Sequence, residues 1–261
     1  MASPARIRLL GAEMDVTTAA GVFDFTAARL AEGTGGLVAN HNLHSLHLLR
    51  RKPELAAFFE QADIIEIDST PLIAWGRLMG HRLSSENRCT YLDWREAFWT
   101  RALSEGWRVF HLGCAPEVGT KGAAAIRKRF PGAQIAERHG FFDMAGAENE
   151  AVLAQIAAYD PDVLFVGMGM PRQEQWILAN RHRLGRAVIY PIGAAFDYEA
   201  GVVPTPPRWA GRFGLEWLFR FAVEPRRLFE RYFIEPWSLV PGALGDVRRR
   251  FARPAPAPAA P

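Results

Sequence analysis

Polar side chains that could bind an anion or move a proton gather where the predicted strands of this chain end. The densest set lies in VLFVGMGMPRQEQWI, residues 163–177. An apolar run bounded by Gly167 and Gly169 predicts a central parallel strand. Pro171 and the string Arg172-Gln173-Glu174-Gln175 then predict the first turn of a helix. A strand, a glycine turn and a helix N-terminus expose backbone N–H groups and the positive end of the helix dipole, which attract anions. Gln173 and Glu174 stand beside that turn. Asn40 and Asn42 close an earlier strand, and Asp68 closes the next, with Ser69 and Thr70 behind it. Arg88 lies in the polar loop NRCT before a helix, and Asp197 follows the strand-like run AVIYPIGAAF. Capping explains any one of these alone, Asp68 as an N-cap above all. It does not explain a set that gathers at one end of one sheet.

The elements that must position these residues alternate in type. Strands are expected over residues 7–16, 36–42, 63–68, 107–113, 133–140 and 187–198, besides the run before Gly167. Helices are expected over 19–31, 43–51, 54–62, 71–79, 92–105, 121–130 and 148–159. This alternation predicts an α/β fold, a doubly wound, mainly parallel, Rossmann-like sheet with right-handed crossovers. From Arg208 the strands stop, and long helices rich in arginine and aromatic residues are expected. Three units follow: an α/β domain over 1–207, a helical appendage over 208–252 and a disordered Pro/Ala tail over 253–261.

Bulk properties narrow the class. A chain of 261 residues, 49% apolar, can bury a large core. Cys89 and Cys114 have no metal-type spacing, which favours a reducing compartment. The start, MASPARIRLLG, lacks the apolar core of a signal peptide, and no uncharged apolar run is long enough to span a bilayer. A cytoplasmic protein is expected. The net charge of +3 is unevenly spread. Residues 208–253 hold ten arginines, no lysine and five acids, so the excess positive charge lies in that segment. Its arginines alternate with aromatics such as Trp217, Phe221, Phe229, Phe233 and Trp237. Basic amphipathic helices of this kind lie in bilayer interfaces, where anionic lipid adds roughly 1 kcal/mol per nearby basic residue. An anionic membrane surface is therefore an expected partner. Nucleic acid is not, because the stretch matches no nucleic-acid motif.

Familiar ligand signatures fail on inspection. In GCAPEVGTKG the lysine, Lys121, is not followed by Ser or Thr, so the loop is no P-loop. GMGMPRQ begins like a dinucleotide fingerprint, but proline and arginine stand where the third glycine belongs. Asp160-Pro161-Asp162 precedes a buried strand, at the end opposite the ligand face, and reads as solvated. His41, His44 and His47 lack a carboxylate or cysteine to complete a metal set, and describe one partly exposed helix face equally well. Neither a metal site nor a cofactor is expected.

The order of motifs resembles the bacterial WecG/TagA/CpsF glycosyltransferase family. The matching pieces include NHNLHSLHLLRRKPEL, ADIIEIDSTPLIAWGRLMG, RVFHLGCAPEV, DPDVLFVGMGMPRQEQWI, IGAAFDYEAG and GLEWLFRFAVEPRRLFERY, in order across residues 7–235. That resemblance implies inverting transfer of an N-acetylmannosamine-type sugar from a UDP-sugar donor to a polyprenyl-diphosphate-linked sugar, on the inner face of the plasma membrane. It implies Asp68 as the base, with Arg88 and Gln173 as further catalytic residues. Two positions depart from the family pattern. Ser69 stands for the usual glycine after the aspartate, and Thr205-Pro206-Pro207 replaces a frequent Arg-Ala-Pro, which removes an arginine near the implied active site.

The chemistry suits these residue types. Inverting transfer needs a carboxylate to take the acceptor hydroxyl's proton, and positive charge to stabilise the departing diphosphate. Without a metal-binding DxD, arginines must supply that charge. Arg220, Arg227 and Arg231 are the expected diphosphate-binding set. The expected donor-binding set is Asn40, Asn42, Gly113, Gly167, Gly169, Gln173, Glu174 and Asp197. Two other readings stay open: a Rossmann-type nucleotide-dependent oxidoreductase, and a non-catalytic lipid- or polymer-binding module. Self-association as a homo-oligomer also stays open.

Overall fold

The computed structural model describes residues 4–206 and 216–252. An antiparallel hairpin, β1 (Ala5–Leu9) with β2 (Ala12–Val16), comes first. Six further strands form one parallel sheet: β3 (Gly36–His41), β4 (Ile64–Ile67), β5 (Arg108–Gly113), β6 (Gln134–Arg138), β7 (Val163–Gly167) and β8 (Val188–Pro191). Their order across the sheet is β4-β3-β8-β7-β5-β6. β4, β7 and β8 are buried along their whole length, as strands covered on both faces must be.

Helices cover both faces. α1 (Ala19–Ala31) precedes β3, and α2 (Leu43–Arg51) with α3 (Ala56–Glu60) follows it. α4 (Thr70–Leu78) and α5 (Tyr91–Glu105) link β4 to β5. α6 (Pro116–Arg129), α7 (Gly146–Tyr159), α8 (Arg172–Asn180) and α9 (Ala195–Glu199) follow β5, β6, β7 and β8 in turn. One face packs Val22, Phe98, Ile126 and Phe196, so it carries α1, α5, α6 and α9. The other packs Leu46, Leu72, Leu153 and Trp176 together with Leu9 and Met14 of the hairpin, so it carries α2, α4, α7 and α8. The expected doubly wound α/β sheet is present.

Two elements differ from the sequence reading. The expected strand over 7–16 is a hairpin, because Leu10 (φ 53) and Gly11 (φ 91) take left-handed backbone and reverse the chain. The expected strand over 187–198 ends at Pro191; residues 192–194 turn, and Asp197 sits inside α9. The apolar run AVIYPIGAAF is continuous in sequence, but a positive φ at Gly193 breaks it.

The appendage is helical, as expected, but broken: short pieces precede one 13-residue helix. α10 (Glu216–Val223) and α11 (Pro225–Phe229) are followed by a π-helical turn (Glu230–Ile234), a 3-10 turn (Glu235–Leu239) and α12 (Val240–Ala252). Pro225 and Pro236 stand at the starts of two pieces, where a missing N–H is harmless, and prevent one continuous helix. Leu228 and Leu239 are buried, and Asp246 of α12 accepts from the backbone N–H of Leu10 at 2.7 Å and from Trp75 Nε1 at 2.8 Å. The appendage is thus docked on the sheet domain. The expected boundary at 207/208 and the expected tail over 253–261 lie outside the described residues.

Candidate active site

β3 and β8 are neighbours, yet the chain leaves β3 toward α2 on one face and β8 toward α9 on the other. Strands whose connections depart in opposite directions leave a crevice beyond their carboxyl ends. A cleft opens there in two lobes of about 320 and 360 Å³. The first lies over the ends of β3 and β8, with Asn40, Gly169, Gln173 and Gly193 in its wall. The second runs under the appendage, past Thr70, Arg88, Trp217, Tyr232 and Phe233. Asn42, His44, Asp68, Thr90, Arg220 and Arg231 line both.

Asp68 therefore stands where the lobes meet. It is not the N-cap of α4: Ser69 holds that position, so the Asp68 carboxylate is left for other work. Thr90 and Asn42 hydrogen-bond it through their side chains. Asn42 also caps α2, where its Oδ1 accepts from Ser45 N at 3.0 Å and Ser45 Oγ accepts from Asn42 N at 2.9 Å. Burial pushes the Asp68 pKa up to about 6, against the hydrogen bonds from Thr90 and Asn42 and the charges of Arg220 and Arg88. A carboxylate tuned into that range is still ionised at neutral pH, yet basic enough to take a proton. Behind it Glu66, buried on β4, is raised well above the usual range by burial and by Asp68, so only one of the two carries charge readily.

The arginines divide by what already holds them. Arg88 donates to Glu216 Oε2 at 3.0 Å, to Asp93 Oδ2 at 2.5 Å and to Thr70 Oγ1 at 3.1 Å. Arg227 is clamped in a two-pronged pair with Glu224. Arg220 and Arg231 make no ion pair among the described residues, and the buried Nε of Arg220 has no partner. Arg231 is so desolvated, with Arg220 beside it, that its pKa falls from the ordinary value. Two guanidinium groups outside any ion pair among the described residues, with the Asp68 carboxylate near both, give this part of the cleft a chemistry that suits an anion.

The expected donor-binding set separates into wall and support. Asn40, Asn42, Gly169 and Gln173 line the first lobe. Asn40 Nδ2 donates to the Pro191 carbonyl at 2.8 Å, which ties β3 to β8 across the crevice. Gly113, Gly167, Glu174 and Asp197 do not line it. Gly113 and Gly167 serve close strand packing. A Cβ on Gly113 would meet Gly167 O at 2.3 Å, and one on Gly167 would meet Gly193 O at 2.7 Å. Asp197 lies in α9 near Arg227 and Glu224 rather than in the wall. Glu174 stands behind Gln173.

The dismissed motifs have structural partners. Asp162 accepts from Arg108 N at 2.9 Å and pairs with Arg186 at 3.1 Å, at the amino end of β7 and away from the cleft. His41 belongs to β3 rather than to a helix face, and stacks on Phe59. His44 bonds Glu235 at 2.6 Å, and His47 bonds Ser238 at 2.9 Å. Among the described residues no group of three or more His, Cys, Asp or Glu is placed to hold a metal ion.

Sequence reasoning missed Glu66, Thr90, His44 and Glu216 as cleft residues. Glu66 carried a signal, a lone acid in the apolar run IIEI, residues 64–67. Thr90 and Glu216 carried none, since each reaches Asp68 or Arg88 only through tertiary packing.

A carboxylate of raised pKa between two lobes, with two arginines in the same walls, is an arrangement that suits group transfer on a doubly wound α/β scaffold. Comparison with known proteins names the class. Residues 7–253 match the Glycosyl transferase WecG/TagA/CpsF family, and this chain belongs to it as a glycosyltransferase. A Staphylococcus aureus (strain MRSA252) N-acetylglucosaminyldiphosphoundecaprenol N-acetyl-beta-D-mannosaminyltransferase is 27% identical over 236 residues, 86% of this chain and 87% of the relative. The enzyme of the same name from strain NCTC 8325 / PS 47 is 26% identical over the same shares.

Proposed function

We propose that this protein transfers an N-acetylmannosamine-type sugar, with inversion, from a UDP-sugar to a polyprenyl-diphosphate-linked sugar in the synthesis of a cell-surface polysaccharide. The observation that carries this reading is Asp68 at the junction of the two lobes, with Arg220 and Arg231 lining both. The donor occupies the first lobe, against Asn40 and Gln173, and the acceptor enters through the second, past Trp217 and Phe233. Asp68 takes the proton of the acceptor hydroxyl as that oxygen attacks the anomeric carbon. The bond to the UDP oxygen breaks on the opposite side, and Arg220 and Arg231 hold the charge released on the diphosphate. The relatives' printed name pairs a diphospholipid-linked acceptor with a beta-linked product, which inversion of an α-linked donor gives.

Catalysis takes place at a membrane surface in this account. Phe229, Ile234 and Trp237 are exposed, Trp237 by 74%, on a segment rich in arginine. No helix among the described residues is long and apolar enough to cross a membrane. Co-sedimentation with anionic vesicles is expected to weaken as salt rises. The reaction itself is tested with a panel of UDP-sugars and a polyprenyl-diphosphate-linked N-acetylglucosamine acceptor, with products read by mass spectrometry. Transfer is expected, and it is expected to survive exhaustive EDTA treatment. Consumption of a nicotinamide cofactor, or ligand binding with no sugar transferred from any donor, would favour the other readings.

A further inference from the structure

The side chain of Gln173 is fully buried, yet it forms part of the wall of the first lobe. Its amide is held from two directions. Nε2 donates to Glu174 Oε1 at 2.8 Å, and Oε1 accepts from the backbone N–H of Gly193 at 3.2 Å. A primary amide has two N–H donors, so one of them has no partner among the described residues. Glu174 is itself buried, and its second oxygen, Oε2, has no partner among the described residues. The flipped amide would set its NH2 against the Gly193 N–H and its carbonyl against the Glu174 carboxyl. The first contact would be repulsive in either protonation state of Glu174, and the second wherever Glu174 is ionised.

We infer that Glu174 is a positioning residue that locks the Gln173 amide, so that Gln173 offers a single N–H to an oxygen of the ligand in the first lobe. This rests on the reading of that lobe as the UDP-sugar site. The ligand atom it selects is a hydrogen-bond acceptor: a carbonyl, hydroxyl or phosphate oxygen. Glu174 touches no ligand, because it does not line the cleft. Its own state suits the task. Burial pushes its pKa up to about 7, opposed by the bond from Gln173, and in either protonation state Oε1 still accepts from Nε2. The expense of holding an acid in an apolar site is otherwise unexplained, since leucine would fill the same space without it.

Calorimetric titration of UDP-N-acetylglucosamine and of UDP into the full-length protein tests the inference through a double-mutant cycle. Glu174→Leu frees the amide, and is expected to weaken binding of UDP-N-acetylglucosamine about tenfold, the scale of one hydrogen bond to a fixed donor. Gln173→Ala is expected to weaken it to a similar degree. In the Gln173→Ala background, Glu174→Leu should then add nothing. Glu174→Gln keeps an accepting oxygen in place and should bind much as the wild type does. Should the leucine variant fail to fold, Glu174→Asp withdraws the oxygen by one methylene and takes its place in the cycle. The parallel titration of UDP tells whether the selected oxygen is on the nucleotide or on the sugar. Tight binding by wild type with additive losses, or with no loss in a folded Glu174→Leu, overturns the inference alone. A wild type that binds neither probe overturns the UDP-sugar reading, and the inference with it.

Discussion

Arg88 and Glu216 join the sheet domain to the appendage across the second lobe, with Arg88 Nη1 at 3.0 Å and Nη2 at 3.4 Å from the two Glu216 oxygens. Arg88 itself bridges to Ile67 at the end of β4, and Glu216 is the first residue of α10. The pair therefore fixes α10, and with it Arg220 one turn further on, over Asp68. Arg88 acts on the site through this geometry as much as through its charge.

Glu216→Gln should loosen that arrangement. Arg88 would keep Asp93 and Thr70 but lose its tie to α10. A stability loss of about 1 kcal/mol is expected, since both partners are partly screened from solvent. A larger fractional loss of transfer should accompany it. Thermal melting and turnover of the same preparation check this, and normal turnover in the variant would mean that Arg220 needs no such anchor.

The raised pKa of Asp68 has two consequences of opposite sign. A base must be ionised, so transfer should fall on an acidic limb as pH drops through about 6. Folding runs the other way. A carboxyl whose folded pKa lies above its unfolded value of 3.8 adds stability at low pH, and that contribution is lost as pH rises through the folded pKa. At pH 8, Asp68→Asn should therefore be more stable than the wild type by roughly 1–3 kcal/mol, while losing activity. Equal melting temperatures for the two proteins at pH 8 would contradict the assigned environment.

The three appendage arginines should not contribute equally. Arg220 and Arg231 lack ion-pair partners among the described residues, whereas Arg227 is committed to Glu224. Replacing Arg220 or Arg231 with glutamine should lower kcat by about 10²-fold or more, as loss of a charge-stabilising donor does. Arg227→Gln should cost less than tenfold by the same measure. Equal losses at all three positions would show that Arg227 leaves Glu224 when the diphosphate binds.

Asp246 should matter for folding rather than for chemistry. It is the shared acceptor for Leu10 N and Trp75 Nε1, both on the sheet domain. Asp246→Ala strands two donors, and should lower stability by about 2–4 kcal/mol. For the same reason a chain cut near Gly201 would expose the surface under Leu228 and Leu239 and lose those bonds, so it is no clean test of catalysis. Chemical denaturation of the Asp246 variant checks the point, and an unchanged midpoint would show that α12 is dispensable to the fold.

Legibility in the sequence followed how local each cause is. β7 and the start of α8 were readable, because a buried parallel strand, a glycine turn and a helix start each leave a mark within a few residues. The hairpin over Ala5–Val16 was not, since its turn rests on a positive φ at Leu10, a residue with no turn preference. The polar ends of β3 and β4 were readable as a site, but not the roles within it. Gln173 and Glu174 are adjacent in sequence; that one lines the cleft while the other stands behind it is set by the packing of α8. Likewise Arg220 and Arg227 read alike, and only the Glu224 clamp separates them.

The central claim is that Asp68 is the base of a glycosyl transfer. It is tested most directly by comparing wild type with Asp68→Asn on the donor that the wild type uses, with a polyprenyl-diphosphate-linked acceptor in anionic vesicles at pH 8. Donor affinity is measured alongside. The account predicts an added N-acetylhexosamine-type sugar on the acceptor, a rate about 10²–10⁴ lower in the folded variant, and little change in donor affinity. Wild-type turnover by folded Asp68→Asn would contradict it.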